Sequence, residues 1–334
     1  MNRTMRKSIV ITSIFPPSQA VKAFARQDGW NLIVVGDRKS PHDWQWKNVT
    51  YLSPTRQTQL GYRLTKRLPW NHYGRKMIGY LYAMEHGAEI IADSDDDNVP
   101  NSNWALPKFA GPFPTIKHEG FTNVYSYFGG QHIWPRGYPL NQILERRVPH
   151  SIGTRHHKVG IWQYLADGDP DVDAIYRLTS NRPFFFRSKK PIVLTPGTIC
   201  PINSQNTFFT AATFPLLYLP AFVTFRFTDI LRGLVAQPLL WSQGLRAGFG
   251  PASVTQERNP HDYLKDFISE IPIYQHTEEV IELTKQATTR KGTLHQNLLR
   301  VYQLLNANGI VSTDELVLLK LWLADVAHLQ RSVR

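Results

Sequence analysis

The stretch "IIADSDDDNVP" (Ile90–Pro100) joins an apolar run to four carboxylates, Asp93 and Asp95–Asp97, that lie within five positions. Negative charges this close repel one another unless water or a cation lies between them. A short apolar run that ends in polar residues is typical of a buried strand followed by a loop. Three structures compete for that loop: a solvated turn, a calcium-binding loop, and a metal site at the end of a strand.

The first hundred residues alternate between apolar β-branched runs and segments with helical spacing. Their order, β-α-β-β-α-β, is typical of a parallel sheet covered by helices. The predicted strands lie in "SIVITSIF", "WNLIVVGD", "VTYLS" and "EIIAD", and the predicted helices in "SQAVKAFARQDG", with Ser18 as N-cap, and "WNHYGRKMIGYLYAMEHGA". Because ligands bind beyond the carboxyl ends of such strands, we expect Thr12, Ser13, Asp37 and the acid cluster to meet in one crevice.

The rest of the chain has two further compositions. Residues 101–204 are rich in Pro, Gly and aromatic residues, which is typical of long ordered loops over a site. Helical patterns dominate beyond Pro272, where Ser312 and Glu315 predict a capping box. The sequence therefore predicts a domain over residues 1–271, with one half over 1–100 and another over 101–271, and C-terminal helices over 272–334 packed on it.

Lysine and arginine outnumber aspartate and glutamate by 38 to 26, which gives the 334 residues a formal net charge of +12. The basic residues are scattered and follow no zinc-finger or basic-helix pattern, so we predict no nucleic-acid partner. A phosphorylated substrate or an anionic membrane surface accounts for the charge equally well. The longest apolar stretch, Thr207–Phe225, contains Pro215 and Pro220, which favour buried core or a cleft wall over a membrane helix.

The N-terminus and the cysteine content give expectations about location. The start, "MNRTMRKSIVITSIF", has a short apolar stretch without a small-residue cleavage site, so a first strand is favoured over a signal peptide. The single cysteine, Cys200, fits a reducing compartment. We therefore expect a cytoplasmic protein, with peripheral contact at the inner membrane face as a further expectation from the basic residues.

The acid cluster fits a D-x-D site for Mg²⁺ or Mn²⁺ better than it fits an EF-hand calcium loop. An EF-hand needs Gly at position six and Glu at position twelve, and counted from Asp93 these are Asn98 and Trp104. In the D-x-D pattern of Asp95 and Asp97, carboxylates would bind Mg²⁺ or Mn²⁺, which also bind the diphosphate of a nucleotide. This is the chemistry of sugar transfer from a nucleotide donor, in which the metal stabilises the departing diphosphate. A solvated turn remains the alternative.

Three further residues of this half are candidates for donor binding. Arg75 and Lys76 begin the helix before the acid cluster and would meet the diphosphate. A solvated helix face is the alternative for both. Asp37, after the second strand, would accept hydrogen bonds from a base or ribose, and a turn or cap residue is its alternative.

Several motifs in one order resemble the STELLO family, described in plants as Golgi proteins linked to cellulose synthesis. The resemblance covers roughly residues 8–270 and rests on "NHYGRKMIGYLYAMEHGAEIIADSDDDN", "LADGDPDVDAIYRLT", "INSQNTFF", "TFRFTDILRGLVAQPLLW" and "VTQERNPHDYLKDF". It implies a GT-A fold, which is Rossmann-like with a mostly parallel sheet flanked by helices. It also implies a divalent metal and a nucleotide-sugar donor, with a UDP-sugar as the first candidate. Residues 1–100 would then be the nucleotide-sugar-binding half and residues 101–271 the acceptor-side half. Golgi residence and a cellulose role are not expected to carry over, since this sequence shows no counterpart of the plant proteins' membrane anchor.

The similarity to GT-A enzymes implies roles for individual residues. The last Asp of the D-x-D motif, Asp97, would bind the metal, and Asp95 would face the ribose or the metal. Asp229 in "FRFTDILRG" would be the base for the acceptor hydroxyl of an inverting enzyme, with a helix N-cap as the alternative. In "ERNPHDYLKDF", Arg258 would meet the diphosphate and His261 would complete the metal shell, with exposed turn residues as the alternative.

The segment "DGDPDVDA" is similar to one in the UDP-arabinopyranose mutases. At strand spacing, Asp169, Asp171 and Asp173 would share one face and bind sugar hydroxyls, whereas a turn around Pro170 would leave them solvated. The predicted function is a metal-dependent glycosyltransferase that uses Mn²⁺ or Mg²⁺ and a nucleotide sugar, and acts on a glycan or lipid-linked acceptor. A nucleotide-sugar mutase and a non-catalytic sugar-binding or scaffold protein are the alternatives.

Overall fold

The computed structural model describes residues 5–257 and 262–332, which build a ten-stranded sheet, a separate two-stranded sheet and the helices around them. The strands are β1 (Lys7–Thr12), β2 (Asn31–Val35), β3 (Val49–Leu52), β4 (Ile90–Ser94), β5 (Asn98–Pro100), β6 (Ala110–Ile116), β7 (Gly120–Phe121), β8 (Ser151–Asp167), β9 (Ile192–Leu194), β10 (Thr198–Ile199), β11 (Asn206–Thr210) and β12 (Arg246–Gln256). The helices are α1 (Gln19–Phe24), α2 (Pro54–Gln59), α3 (Lys76–Glu85), α4 (Val124–Tyr127), α5 (Ala174–Thr179), α6 (Thr228–Ser242), α7 (Tyr263–Ala287), α8 (Leu294–Ala307) and α9 (Thr313–Ser332).

The first four strands form the predicted parallel arrangement. β1 pairs in parallel with β2 and with β4, and β2 pairs in parallel with β3. Ser18 caps α1 as predicted, since its side chain accepts a hydrogen bond from the amide of Val21. α3 packs so closely on the sheet that a Cβ at Gly79 would lie 2.6 Å from the side chains of Val10 and Val35. Glycine is therefore required where α3 crosses this part of the sheet.

The second half of the sheet is mixed. β11 lies antiparallel between β4 and β8. β8 is 17 residues long and pairs antiparallel with β6 through its first part and parallel with β12 through its second. β9 joins β6 to β12, so these four strands pair in a closed circuit. The predicted α/β class is confirmed. The pairs among β1 to β4 are all parallel as expected, whereas the rest of the sheet has parallel pairs (β8 with β12 and β6 with β9) and antiparallel ones.

The predicted boundary after residue 271 falls inside a helix. α7 continues from Tyr263 to Ala287 through Pro272. Buried side chains from the first strands to the last helix, among them Met77, Leu234 and Trp322, form one hydrophobic cluster. The division into a domain and a C-terminal extension stays a prediction. No helix or strand ends at the predicted boundary, because α7 continues across it.

The start of α9 shows half of the predicted capping box. The Ser312 hydroxyl accepts from the Glu315 amide at 3.3 Å. The other half of the prediction is wrong, because the Glu315 carboxylate does not accept from the Ser312 amide. It is buried and accepts instead from the Tyr218 hydroxyl and from the amides of Ala221 (3.1 Å) and Phe222 (2.7 Å). A side chain that sequence reasoning placed in a local cap thus connects α9 to the loop before α6.

The long apolar stretch Thr207–Phe225 contributes to the core, as predicted. It forms β11 and a 3₁₀ segment, Ala211–Leu217, and Phe208, Phe209 and Leu217 are buried. No helix within the described residues is both long enough and apolar enough to cross a membrane.

Candidate functional site

A cavity of about 320 Å³ lies beyond the carboxyl ends of β1, β2 and β4. This is the edge where parallel strands place ligands, and the volume lies in the range of small-molecule sites. Polar residues from eight separate parts of the chain line it, together with three exposed apolar side chains. The lining includes Thr12, Ser13, Ile14, Phe15, Asp37, Lys39, Tyr73, Arg75, Asp95, Asp96, Asp97, Arg136, Ser204, Phe225, Arg226, Asp229 and Gln256. The predicted convergence of three strand ends is therefore present in the fold.

The first two strand ends are fixed by short polar contacts. The Ser13 hydroxyl donates to the Asp96 carboxylate, which joins the end of β1 to the loop after β4. The Asp37 carboxylate accepts from the amides of Arg38 at 2.7 Å and His72 at 3.1 Å. Asp37 therefore has the turn role that the sequence offered as its alternative, because it organises the turn after β2. It also lines the cavity.

Lys76 is fully buried and lies between two acids. Its Nζ is 2.6 Å from Asp93 Oδ1 and 2.9 Å from Asp95 Oδ1. Burial alone would lower the pKa of Lys76, but the two carboxylates outweigh it and hold the pKa above its usual value. Arg232 on α6 binds the other oxygen of Asp93 at 2.8 Å. The solvated helix face considered for Lys76 is thus wrong, because the acid cluster needs an internal counter-charge.

Arg75 is also buried, but its guanidinium has other partners. It donates to Gln57 and to the carbonyl of Leu68, and it stacks on Trp70 with 3.7 Å between the guanidinium carbon and the ring centroid. Burial lowers the pKa of Arg75 to about 10. Arg75 therefore forms part of the cavity wall and holds Trp70, and any contact with a diphosphate stays a prediction.

The three acids after β4 have unequal surroundings. Asp95 Oδ1 accepts from the hydroxyl of Tyr73 at 2.9 Å in addition to Lys76. Asp97 accepts from Gln256 Nε2 at 3.0 Å and from Asn98 at 3.3 Å. Burial raises the pKa of Asp95 and of Asp96 above the usual range for aspartate. A cation beside Asp95 would oppose that effect, because a nearby positive charge favours the ionised carboxylate.

The loop after β4 has the carboxylates that would suit a Mg²⁺ or Mn²⁺ ion bound together with the phosphates of a nucleotide. No group of three or more His, Cys, Asp or Glu side chains within residues 5–257 and 262–332 is arranged to hold an ion alone. Mg²⁺ is commonly bound by one or two carboxylates, with substrate phosphates and water as the other ligands. Asp95 and Asp97 line the same cavity and supply two carboxylates. Arg258 and His261 lie outside the described residues, so their predicted roles stay predictions.

Asp229 lies in the first turn of α6, where a buried arginine binds its carboxylate. Arg136 Nη1 is 3.0 Å from Asp229 Oδ1, and Nη2 is 2.9 Å from Oδ2. Oδ2 also accepts from the Ser204 amide at 3.2 Å and the Ser204 hydroxyl at 3.3 Å. α6 begins after Phe227 without a side-chain cap, so Asp229 is not the N-cap considered as its alternative.

Two hydroxyls connect the acid loop to Asp229. Tyr73 contacts Asp95 and also shares a hydrogen bond with the Ser204 hydroxyl. Ser204 in turn contacts Asp229. The hydroxyls of Tyr73 and Ser204 therefore lie between the candidate metal ligand and the candidate base, although their two protons cannot serve all three contacts at once while both carboxylates are ionised.

The segment "DGDPDVDA" is a loop between β8 and α5, so the expected strand spacing is wrong. Asp171 binds Arg136 through both oxygens, at 2.8 and 3.0 Å, and thereby lies beside the cavity. Asp169 forms an ion pair with Arg177. Asp173 caps α5 and accepts from Trp134 Nε1 at 2.6 Å. None of Asp169, Asp171 and Asp173 lines the cavity, because partners within the protein hold all three side chains.

Arg136, Tyr73 and Ser204 were missed as site residues by sequence reasoning. Ser204 lies in "INSQNTFF" and Tyr73 in "NHYGRK", two motifs that carried the family resemblance, so a signal was present for both. Arg136 lies in "WPRGYP", where the surrounding aromatic residues favoured packing. Its partners Asp171 and Asp229 are 35 and 93 positions away, and no local pattern encodes such pairs.

Known proteins resemble this chain over almost its full length. The family model of STELLO glycosyltransferases matches residues 226–332. "Probable glycosyltransferase STELLO1" of Arabidopsis thaliana is 28% identical over 346 aligned residues, which cover 97% of this chain and 45% of the relative. "Probable glycosyltransferase STELLO2" of the same plant is 28% identical over 341 aligned residues, which cover 96% of this chain and 44% of the relative. The chain thus spans less than half the length of these relatives.

A solved structure described as "Crystal Structure of a Mycobacterial Protein" aligns with a TM-score of 0.39 and 10% identity, over 86% of this chain and 77% of that one. A score this low supports no statement about fold or function. The sequence matches, by contrast, extend well beyond the residues that the family model covers. The resemblance predicted from the motifs is confirmed: this chain is similar to the STELLO glycosyltransferases.

Proposed function

We propose that the protein is a metal-dependent glycosyltransferase of the GT-A type. It would move a sugar from a nucleotide diphosphate donor, with a UDP-sugar as the first candidate, to a glycan or lipid-linked acceptor. The observation that supports this function is the cavity that brings Asp95, Asp97 and Asp229 together from two separate elements. The similarity to proteins named as probable glycosyltransferases supports the same class of reaction.

On the donor side, Asp95 and Asp97 would hold Mn²⁺ or Mg²⁺ together with the diphosphate. When bound, the ion would stabilise the negative charge that builds on the leaving diphosphate. Lys76 compensates the charge of Asp93 and Asp95, so that the loop keeps its shape. Asp37, with Thr12 and Ser13, would face the base and ribose from the ends of β1 and β2.

On the acceptor side, Asp229 would take the proton of the attacking hydroxyl. The acceptor oxygen would bond to the anomeric carbon as the bond from that carbon to the diphosphate oxygen breaks, and the nucleoside diphosphate would leave with both electrons of that bond. This role is supported by the position of the carboxylate, which lines the same cavity as the D-x-D loop. A base within hydrogen-bond reach contributes about 10² to 10⁴ in rate.

The cavity mouth supports a lipid-linked acceptor. Ile14, Phe15 and Phe225 line the cavity and have 41%, 46% and 58% of their surfaces exposed. Lys39 lines it as well, so apolar and basic side chains occur together, as they do on surfaces that touch anionic membranes. Sedimentation with vesicles of phosphatidylcholine and phosphatidylglycerol tests this contact. Binding that is unaffected by Phe15→Ser with Phe225→Ser would contradict it, and Phe185→Ser, which is 67% exposed away from the cavity, is the control.

The donor site is tested by calorimetry with UDP and Mn²⁺, followed by a screen for slow hydrolysis of nucleotide sugars. We expect Mn²⁺-dependent binding that Asp97→Ala weakens at least about tenfold, which is 1.4 kcal/mol. Asp28→Ala, an exposed carboxylate before the amino end of β2, should change the affinity less than about twofold. Equal affinities for Asp97→Ala and the unchanged protein would contradict the proposed metal site. Isomerised donor instead of free sugar would point to a mutase.

A further inference from the structure

Arg136 lines the cavity and is the central charge of a buried cluster. Its Nε and Nη2 bind the two oxygens of Asp171, and its Nη1 and Nη2 bind the two oxygens of Asp229. Nη1 also donates to the carbonyl of Arg226, in the turn before α6. Arg136 is 5% exposed, so water competes little for these contacts. A planar guanidinium bound on two sides fixes both carboxylate planes at once.

The two oxygens of Asp229 are held differently. Oδ2 receives three hydrogen bonds, from Arg136 and from the amide and hydroxyl of Ser204. Within the described part of the chain, Oδ1 receives one, from Arg136 Nη1 at 3.0 Å. A carboxylate oxygen can accept at least about two hydrogen bonds, so Oδ1 has room for a further donor. Oδ2 therefore anchors the group and Oδ1 is the oxygen left for an acceptor hydroxyl.

We propose that Arg136 is the positioning residue of the acceptor base. It holds Asp229 so that Oδ1 faces the acceptor, and Asp171 keeps Arg136 in place from the other side. This inference rests on the proposed function, because it assigns Arg136 a part in the reaction through Asp229. Lysine would retain the positive charge but not the paired contacts, so charge and orientation can be tested separately.

The cluster also has a structural component, which the test must separate. Arg226 binds the buried Glu270 of α7 at 2.8 Å and lies 4.0 Å from Asp171. Loss of Arg136 would leave Asp171 and Asp229 buried with fewer partners and lower the stability. A purely structural role would lower the stability and the rate together, whatever residue occupies position 229. A positioning role has an effect only while the base is present.

The experiment is a double-mutant cycle on nucleotide-sugar turnover with Arg136→Gln and Asp229→Asn. We expect Arg136→Gln to lower kcat about 100-fold with the donor KM within about threefold, since small misplacement of a reacting group costs about that much. Asp229→Asn should lower kcat at least about 100-fold. Adding Arg136→Gln to Asp229→Asn should lower the residual rate by less than about threefold, because nothing remains to be positioned.

Two further variants complete the test. Arg136→Lys should recover part of the rate lost in Arg136→Gln, and it replaces that variant in the cycle if the glutamine protein does not fold. Asp171→Asn keeps the contact between Arg136 and Asp229. It should therefore lower the melting temperature, and it should lower kcat less than Arg136→Gln does. Rate losses of Arg136→Gln and Asp229→Asn that multiply would overturn the inference while leaving the proposed function intact. A wild-type protein that turns over no nucleotide sugar would instead contradict the proposed function.

Discussion

At the scale of single residues, the site is a set of buried charges that compensate one another. Asp93 contacts Lys76 and Arg232, and Arg136 contacts Asp171 and Asp229. Breaking one partner of such a pair leaves an unpaired charge and costs about 3–5 kcal/mol. Asp95 therefore owes part of its arrangement to Lys76, which does not line the cavity.

Asp173 gives the protein a pH-dependent stability of known sign. Burial raises the pKa of Asp173 from 3.8 to about 6. Because the folded state then binds its proton more tightly than the unfolded state, this group stabilises the fold at low pH, and the contribution is lost as pH rises from about 4 to 6. At 1.36 kcal/mol for each pH unit, the change is about 3 kcal/mol.

The comparison that isolates Asp173 is the free energy of unfolding of the wild type minus that of Asp173→Asn, measured by urea denaturation at several pH values. Asparagine still caps a helix, so α5 should persist. We expect this difference to fall by up to about 3 kcal/mol between pH 4 and 7. Asp28→Asn, at an exposed carboxylate, should show no such trend. A flat difference for Asp173→Asn would disprove the assignment.

The residue pattern predicted part of the site. Asp95, Asp97, Asp37, Ser13 and Asp229 were chosen from their sequence context, and the fold places them around one cavity. Their roles stay predictions. The acids of "DGDPDVDA" were misjudged because the segment turns at Pro170, and Asp169 and Asp173 find partners that spacing alone does not reveal.

At the scale of elements, α9 holds distant parts of the chain through two buried acids. Glu315 binds the Tyr218 hydroxyl and the amides of Ala221 and Phe222. Asp325 accepts from the amide of Leu64 at 2.9 Å. One helix thus contacts both the first half of the chain and the loop that leads into α6.

Glu315→Ala should therefore destabilise the protein by about 2–4 kcal/mol, because it leaves buried donors without an acceptor. The measurement is the free energy of unfolding in guanidinium chloride, followed by circular dichroism. Lys320→Ala, on an exposed position of the same helix, is the matched control and should change stability by less than about 0.5 kcal/mol. Equal effects of the two substitutions would show that the Glu315 contacts contribute nothing.

Local patterns predicted the elements of the first half better than those of the second. Periodicity suffices where each helix follows its strand, as in β1, α1 and β2. The circuit of β6, β8, β9 and β12 depends on pairs between strands far apart in sequence, which periodicity does not encode. The capping box of α9 failed for a similar reason, since Glu315 has tertiary partners that outweigh the local one.

At the scale of the whole molecule, the sheet and the last helices share one core. The same hydrophobic cluster contains Val10 of β1, Tyr80 of α3 and Val326 of α9. Shared burial makes their stabilities interdependent, so we expect one cooperative unfolding transition for the 334-residue chain. Tryptophan fluorescence and far-ultraviolet circular dichroism should report the same midpoint.

A fragment of residues 1–271 tests this interdependence. It divides α7 and removes α8 and α9, which would expose the side of α3 that contacts α9. We expect the fragment to show no cooperative thermal transition. A fragment that melts cooperatively near the temperature of the whole chain would instead support the domain boundary predicted from the sequence.

The trio of Lys76, Asp93 and Arg232 limits how sequences with this fold can diverge. Asp93 is fully buried, with a lysine at 2.6 Å and an arginine at 2.8 Å. A single neutral replacement would cost about 3–5 kcal/mol, a large share of the 5–15 kcal/mol that holds a typical domain together. Single substitutions that remove one of these three charges should therefore be selected against. Descendants of a common ancestor should keep all three charges, or should have exchanged the set together.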